Sequence, residues 1–317
     1  MRPSSAERIA FRLRALRDRV DALVNRRAAA RRRLLIDAAT GPPSSVSRTG
    51  AFDYERARRL YQRPATLEGR LYNYVLYPGD SDILCVHFSA FFGEWGEQRG
   101  VRAQFAGYFH RLRMFWPVSQ YNFLFLCDTF GADDNGTYYK GESGDFFVER
   151  AMDEIISGAA DRVGAEPGRT VALGSSMGAT GAIRFALRHR FAGAVAVSPH
   201  IDLDLCARYQ GRQRHVAALL GADDVEDPVH FPVTREIRSL VSEVTPLPRL
   251  VIQSARDDTG VHAEQVEPLV EQWRSRGGFV RTDFHDTGGH TSDYATPEFF
   301  VAAVEECLVP QPEAAAR

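Results

Sequence analysis

Thr170-Val171-Ala172-Leu173-Gly174-Ser175-Ser176-Met177-Gly178-Ala179-Thr180-Gly181-Ala182-Ile183-Arg184-Phe185-Ala186-Leu187 is the stretch whose reading decides the fold. A short apolar run enters a Gly-Ser turn, and small and apolar residues at helical spacing follow at once. That is strand, turn, helix, with Ser176 at the sharpest point. The turn fits G-x-S-x-G, and the chemistry explains the spacing. A tight strand-to-helix turn strains the serine backbone and lifts its Oγ above the sheet. A Cβ at either flanking glycine would collide with the neighbouring strand or the turn. Gly178, Ala179, Gly181 and Ala182 keep the following helix thin enough to pack close. A bare G-x-S-x-G also arises by chance; the strand, the glycines and the small-residue helix around this one favour an elbow over a plain turn. Ser175 is the fallback nucleophile, one place off the motif.

Outward from the elbow, from about residue 70, short apolar runs alternate with helical segments. This implies an α/β fold, a mostly parallel sheet with helices on both faces. Strands are expected at 71–77, 83–88, 122–127, 170–173, 193–197, 250–253 and 279–284, with helices at 101–114, 144–163, 177–190, 261–276 and 296–307. Between the strands at 193–197 and 250–253 lies a helical insertion, about residues 199–248, of the size and place of a cap over the site.

A serine hydroxyl needs an adjacent base, itself oriented by a third group. With a serine elbow on such a sheet the chain order is serine, acid, histidine. Leu250-Val251-Ile252-Gln253 is an apolar strand, and Ser254-Ala255-Arg256-Asp257-Asp258 leaves its end. Asp257 and Asp258 compete for the acid. Asp257 is preferred, because the acid commonly falls three residues after the small residue ending the strand; Asp202 and Asp204 are weaker alternatives. The last strand is followed by His285-Asp286-Thr287-Gly288-Gly289-His290, which offers His290 as base; His285 lies too near the strand itself. For the oxyanion hole, Met177 supplies one backbone N–H, and the loop His87-Phe88-Ser89-Ala90-Phe91-Phe92-Gly93 supplies the other through Ser89 or Ala90.

On Gly174–Gly178, Asp257 and Gly288-Gly289-His290, the sequence resembles the α/β-hydrolase superfamily over roughly residues 70–308. The resemblance implies an acyl-enzyme mechanism on an ester, thioester or amide. A narrower likeness joins Leu124-Phe125-Leu126-Cys127-Asp128 and Asn135-Gly136-Thr137-Tyr138-Tyr139-Lys140-Gly141 to a loop in bacterial glycan O-acetyltransferases of this fold, among them capsule-modifying enzymes and accessory-secretion proteins. It implies that Asn135, Tyr138 and Tyr139 contact substrate. Two features depart from that pattern: Ser89-Ala90 stands where an opening glycine is usual, and the N-terminus is Arg-rich.

The chain has 317 residues and a formal charge of −2. Twelve arginines against four acids give residues 1–50 a charge of +8, so the remainder carries −10. The body therefore has no basic surplus for a phosphate backbone, and nucleic acid is not expected as a partner. Residues 1–50 read as an Arg-rich helical extension and linker, 51–310 as the catalytic body and 311–317 as a tail. Ile9, Leu13, Leu16, Val20 and Leu23 form a heptad-like stripe that ends at the breaker Gly41-Pro42-Pro43. It suits either a packing helix or a docking helix for a partner protein or anionic membrane surface. Of the four cysteines, Cys85 and Cys127 lie in apolar runs and read as buried thiols. No run reaches the length of a membrane span and no signal h-region is visible, so a cytoplasmic location is expected.

No metal is expected, since the nine histidines lack H-E-x-x-H spacing. No cofactor is expected either, without a Walker lysine motif or G-x-G-x-x-G. The leading expectation is a serine esterase acting on a small-molecule or glycan ester. The alternatives are an O-acyltransferase acting on a glycan hydroxyl and a non-catalytic binding subunit.

Overall fold

Gly174 and Gly178 are positions where the chain touches itself. A Cβ on Gly178 would lie 2.1 Å from the Phe88 carbonyl oxygen, and one on Gly174 would lie 2.2 Å from the Gly178 oxygen. Both are far inside van der Waals contact, so only glycine lets strand, elbow and neighbouring strand approach this closely. The computed structural model builds the rest of the molecule around that approach. It describes residues 48, 50–91, 100, 101, 105, 107–222 and 232–310. The expected helix of the N-terminal extension and the tail 311–317 lie outside the described residues.

The elbow joins β5 (Thr170–Ser175) to α4 (Met177–His189). Before it come α1 (Tyr54–Tyr61), β1 (Gln62–Leu67), β2 (Arg70–Tyr77), β3 (Leu84–Phe88), α2 (Leu112–Phe115), β4 (Asn122–Leu126) and α3 (Phe147–Val163). After it come β6 (Gly193–Val197), α5 (Leu203–Tyr209), α6 (Gln213–Leu220), α7 (Glu236–Glu243), β7 (Arg249–Ala255), α8 (Glu267–Ser275), β8 (Val280–His285) and α9 (Pro297–Cys307). The eight strands form one sheet in the order β1-β2-β4-β3-β5-β6-β7-β8. β2 pairs antiparallel with β1 and β4, and every other pairing is parallel. This is the α/β-hydrolase fold. The central strands β3, β4, β5 and β6 are buried at every position, as a sheet covered on both faces requires. All four cysteines are free and buried.

Three expectations need adjustment. The edge strand β1 was not expected, because Gln62-Arg63-Pro64-Ala65-Thr66-Leu67 has no apolar alternation and carries a proline tolerated only at an edge. A Glu68-Gly69 turn, with both residues at positive φ, folds it back on β2. Of the helix expected over 101–114, residues 107–111 are not helical, and Arg111 at φ 71° stands just before the short α2. Finally, Arg48, assigned to the extension, is buried and bonded into the body. Its Nε donates to the Trp116 carbonyl at 3.2 Å, and its Nη atoms donate to the carbonyls of Pro78 and Val118.

Between β6 and β7 the described residues form α5, α6 and α7. Among the described residues no helix is long and apolar enough to cross a membrane.

Gly178→Ala should cost about 1–3 kcal/mol through overpacking against Phe88, lowering Tm by several degrees. Gly158 lies within α3 with nothing inside 4 Å of its would-be Cβ, so Gly158→Ala should instead gain about 0.5–1 kcal/mol from helix propensity. Thermal unfolding followed by circular dichroism decides it; equal shifts for both variants would contradict the close-approach argument.

Candidate active site

Ser176 sits at φ 52° and ψ −124°, between the last residue of β5 and the first of α4. A positive φ at a non-glycine residue is costly and needs support. The Ser176 N–H donates to the Val197 carbonyl at 2.8 Å, tying the turn to the end of β6. The side chain is thereby raised off the end of the sheet, where the Ser176 hydroxyl lies 2.9 Å from His290 Nε2. His290 Nδ1 in turn lies 2.7 Å from Asp258 Oδ2. With the imidazole proton on Nδ1, facing the carboxylate, Nε2 is left to accept the serine proton.

The acid in this chain of bonds is Asp258, not Asp257. β7 continues through Ala255, two residues beyond the expected 253, and counting three from Ala255 gives Asp258. Asp257 is exposed and binds the backbone of the loop instead. Its two oxygens accept the N–H groups of Gly289 at 2.8 Å and Gly288 at 3.0 Å. Those two bonds hold its carboxyl below the usual carboxylate range. Asp202 and Asp204 are paired instead with Arg238 and Arg235 of the insertion, at 2.7 and 2.9 Å. Ser175 Oγ accepts from Arg111 Nη1 at 3.0 Å. His285 is the last residue of β8 and stacks on Tyr294 at 3.9 Å between ring centres.

The two expected sources of the second oxyanion donor can be told apart. Ser89 N–H is already bonded to the Leu126 carbonyl at 3.1 Å, within the β3–β4 contact. Ala90 N–H meets only His110 Nδ1, at 3.5 Å, the outer limit for a hydrogen bond. Ala90 is thus the donor still open to a ligand on this loop. Met177 opens α4, so its N–H has no carbonyl one turn back in the helix to bond.

Tyr138 and Tyr139, expected to touch substrate, are both fully buried. The Tyr139 hydroxyl donates to the Ser89 carbonyl at 2.8 Å, and the Tyr138 hydroxyl lies 3.1 Å from His200 Nδ1. Their rings build the wall of the site and offer no open face for a sugar. Asn135 is half-buried at the loop's outer end.

Residues that sequence reasoning passed over hold these parts in place. Asp128, just beyond β4, accepts from Thr137 N, Thr137 Oγ1 and Tyr139 N at 2.6, 2.9 and 2.8 Å. His200, in the loop after β6, stacks nearly parallel on His290, with 4.9 Å between centres and 12° between planes. Burial, aided by the nearby His290 and Arg212, pushes the His200 imidazole well below its ordinary range, which keeps it neutral beside the base. Lys140, at the end of the loop, is buried between Glu236 and Glu149, and Arg184 lies 3.2 Å from Glu149. An acid after an apolar strand was a visible signal for Asp128, but nothing local reveals its partners nine to eleven residues on. Among the described residues no group of three His, Cys, Asp or Glu side chains is placed to hold a metal ion.

The chain is similar in fold to a capsule O-acetyltransferase of Neisseria meningitidis serogroup A, at 18% identity over 77% of this chain and 94% of that one, with a TM-score of 0.61. It is also similar to the fluorophosphonate-binding serine hydrolase F of Staphylococcus aureus, at 13% identity over 78% and 98% with a TM-score of 0.57. An S-formylglutathione hydrolase from Agrobacterium tumefaciens matches at 15% identity over 78% and 93%, with a TM-score of 0.55. No family model and no curated protein matches the sequence.

Asp258→Asn should lower the turnover of an activated ester by about 10⁴-fold, as for loss of the acid that sets a histidine tautomer, while Asp257→Asn stays within about tenfold. Comparing the two kcat values tests the assignment, and the reverse order would return the acid to Asp257. Because the Asp257 pKa is depressed on folding, its carboxylate stabilises the fold above the unfolded value, near pH 4. That contribution is lost as pH falls through the folded value. The Tm difference between wild type and Asp257→Asn should therefore be constant above about pH 5 and narrow below pH 4.

Proposed function

We propose that the chain is a serine-nucleophile acyl-transfer enzyme that hydrolyses a carboxylic ester through an acyl-enzyme. The observation that carries this reading is the unbroken sequence of hydrogen bonds from Ser176 Oγ to His290 at 2.9 Å and from His290 to Asp258 at 2.7 Å. Ser176 Oγ attacks the ester carbonyl as His290 Nε2 takes its proton, and Asp258 stabilises the imidazolium that forms. The N–H groups of Met177 and Ala90 meet the negative charge that develops on the carbonyl oxygen. His290 then returns the proton to the departing alcohol, and water repeats the sequence to release the acid. The intact triad geometry weighs against a purely binding role.

A second reading, in which a glycan hydroxyl replaces water, has the fold of the capsule O-acetyltransferase and the helical insertion between β6 and β7 in its favour. Both reactions share every step up to the acyl-enzyme. They differ in whether an acceptor is held where water attacks, and binding energy from that acceptor's remote groups serves transfer alone.

Ser176→Ala should abolish labelling by an active-site fluorophosphonate and reduce ester turnover by at least about 10⁴-fold, with an unchanged circular dichroism spectrum. Peptide mapping of the labelled wild type should return Ser176. Near-normal turnover in the Ala variant would overturn the reading. Acceleration of acyl-enzyme breakdown by an oligosaccharide, with an acylated product by mass spectrometry, would decide for transfer.

A further inference from the structure

The arginines of the insertion are not equally occupied. Arg238 pairs with Asp202, Arg235 with Asp204, and Arg214 with Asp133, at 2.7, 2.9 and 3.1 Å. Arg212, just before α6, has no carboxylate partner among the described residues, and its buried Nε makes no hydrogen bond. A guanidinium Nε–H taken out of water without an acceptor carries an uncompensated desolvation cost. Such a group calls for an anion.

Its position says where that anion would come from. The Arg212 guanidinium lies over the Phe91 ring, 4.7 Å from its centre. Phe91 belongs to the oxyanion loop and packs edge-on against Tyr138 at 5.2 Å, whose hydroxyl reaches His200, the stacking partner of His290. Phe91 and Met177 also converge on one point: both side chains lie within 3.4 Å of where a Gly136 Cβ would be. Met177 follows Ser176 directly. Phe91 therefore forms a shelf beside the nucleophile, and Arg212 lies on it. The charge is felt at the site, since Arg212 adds to burial in lowering the pKa values of His200 and His215.

We propose that Arg212 is the anion-binding residue of the Ser176 site, and that the substrate is an ester or thioester bearing a carboxylate or phosphate a few atoms from the reacting carbonyl. The inference rests on the acyl-transfer reading above. A planar guanidinium already stacked on an aromatic face can present two parallel N–H donors to such a group with little further ordering. The anion can belong to the acyl part or to the leaving alcohol, and the same chemistry serves both.

Two pairs of chromogenic esters separate these cases on the full-length protein. One pair is p-nitrophenyl hemiglutarate against p-nitrophenyl valerate, with the charge on the acyl side. The other is 4-carboxyphenyl acetate against phenyl acetate, with the charge on the alcohol side. The readout is the ratio of kcat/KM for the charged to the neutral member, measured in wild type, Arg212→Met and Arg212→Lys.

Wild type should favour the charged member at least about tenfold in one pair, mainly through KM, and added salt should erode the preference. Arg212→Met should bring that ratio close to one, and Arg212→Lys should restore part of it. A wild-type ratio near one in both pairs overturns the proposal. So does a preference that survives Arg212→Met, or a loss of both members in equal measure. If wild type turns over none of the four esters and takes no fluorophosphonate, the acyl-transfer reading itself has failed.

Discussion

The site depends on one strained residue. Ser176 is held at φ 52°, a conformation that costs a side-chain-bearing residue about 1–3 kcal/mol. It persists because its surroundings leave no alternative. Gly174 and Gly178 bring the turn against itself and against β3, the Ser176 N–H is bonded to Val197, and α4 is buried from Met177 to Leu187. The strand order then dictates what can surround Ser176. β5 lies between β3, whose chain continues outward to β4, and β6, whose chain continues to β7. The elbow thus sits at the topological switch point, where loops diverge and a crevice opens. Ala90 enters that crevice from the β3 side and His200 from the β6 side.

A crevice lined by loops has a useful electrostatic shape only if the loops hold still. The loop from Asp128 to Gly141 carries positive φ at Asp133, Asp134, Tyr138 and Tyr139 as well as at its glycines. The buried Asp128 carboxylate opposes that strain with donors from both chain and side chain. The Tyr139 hydroxyl extends the grip to the Ser89 carbonyl, one residue from Ala90. Beyond the loop, Lys140, Arg184, Glu149 and Glu236 form a buried network joining it to α3, α4 and α7. Buried ion pairs add little net stability, but removing one partner is severe, about 3–5 kcal/mol. Their effect here is to tie the first turn of α7 to the end of the loop.

The sheet and the elbow were legible because both are written in local patterns. Apolar runs, small residues and the glycine spacing around Ser176 need no knowledge of distant contacts. β1 was hidden because an edge strand with Pro64 has no buried face to impose alternation. The buried loop around Tyr138 and Tyr139 was misread for a related reason. Tyrosines in a polar, glycine-bearing stretch look available to ligand, and only the distant partners Ser89, Leu126 and His200 make them part of the wall. Which of the two aspartates reaches His290 was obscured by a boundary error. The apolar run ends at Gln253, but pairing with β8 carries the strand on to Ala255 opposite His285. Hydrogen bonding to a neighbour, which the one-dimensional pattern does not contain, set the register that decides between two adjacent aspartates.

Those two aspartates have separate tasks, one on the loop backbone and one on the imidazole. His290 lies on a loop after β8 whose preceding residues, Gly288 and Gly289, have φ of 139° and 60°. The stacked His200 ring covers one face of His290, which is otherwise exposed. Two glycines in unusual conformations would leave such a loop many alternatives, at about 1–2 kcal/mol of backbone entropy per residue fixed. Asp257 removes that freedom by gripping both glycine N–H groups. Asp258, the next residue, grips the imidazole. Ser198 Oγ completes the hold by donating to the Thr291 carbonyl at 3.2 Å, linking the loop to the end of β6. Consecutive carboxylates at the end of one strand therefore fix first the backbone that carries the histidine and then the ring itself. Neither can stand in for the other, because both Asp257 oxygens are committed to the two glycine N–H groups while the imidazole is bonded to Asp258.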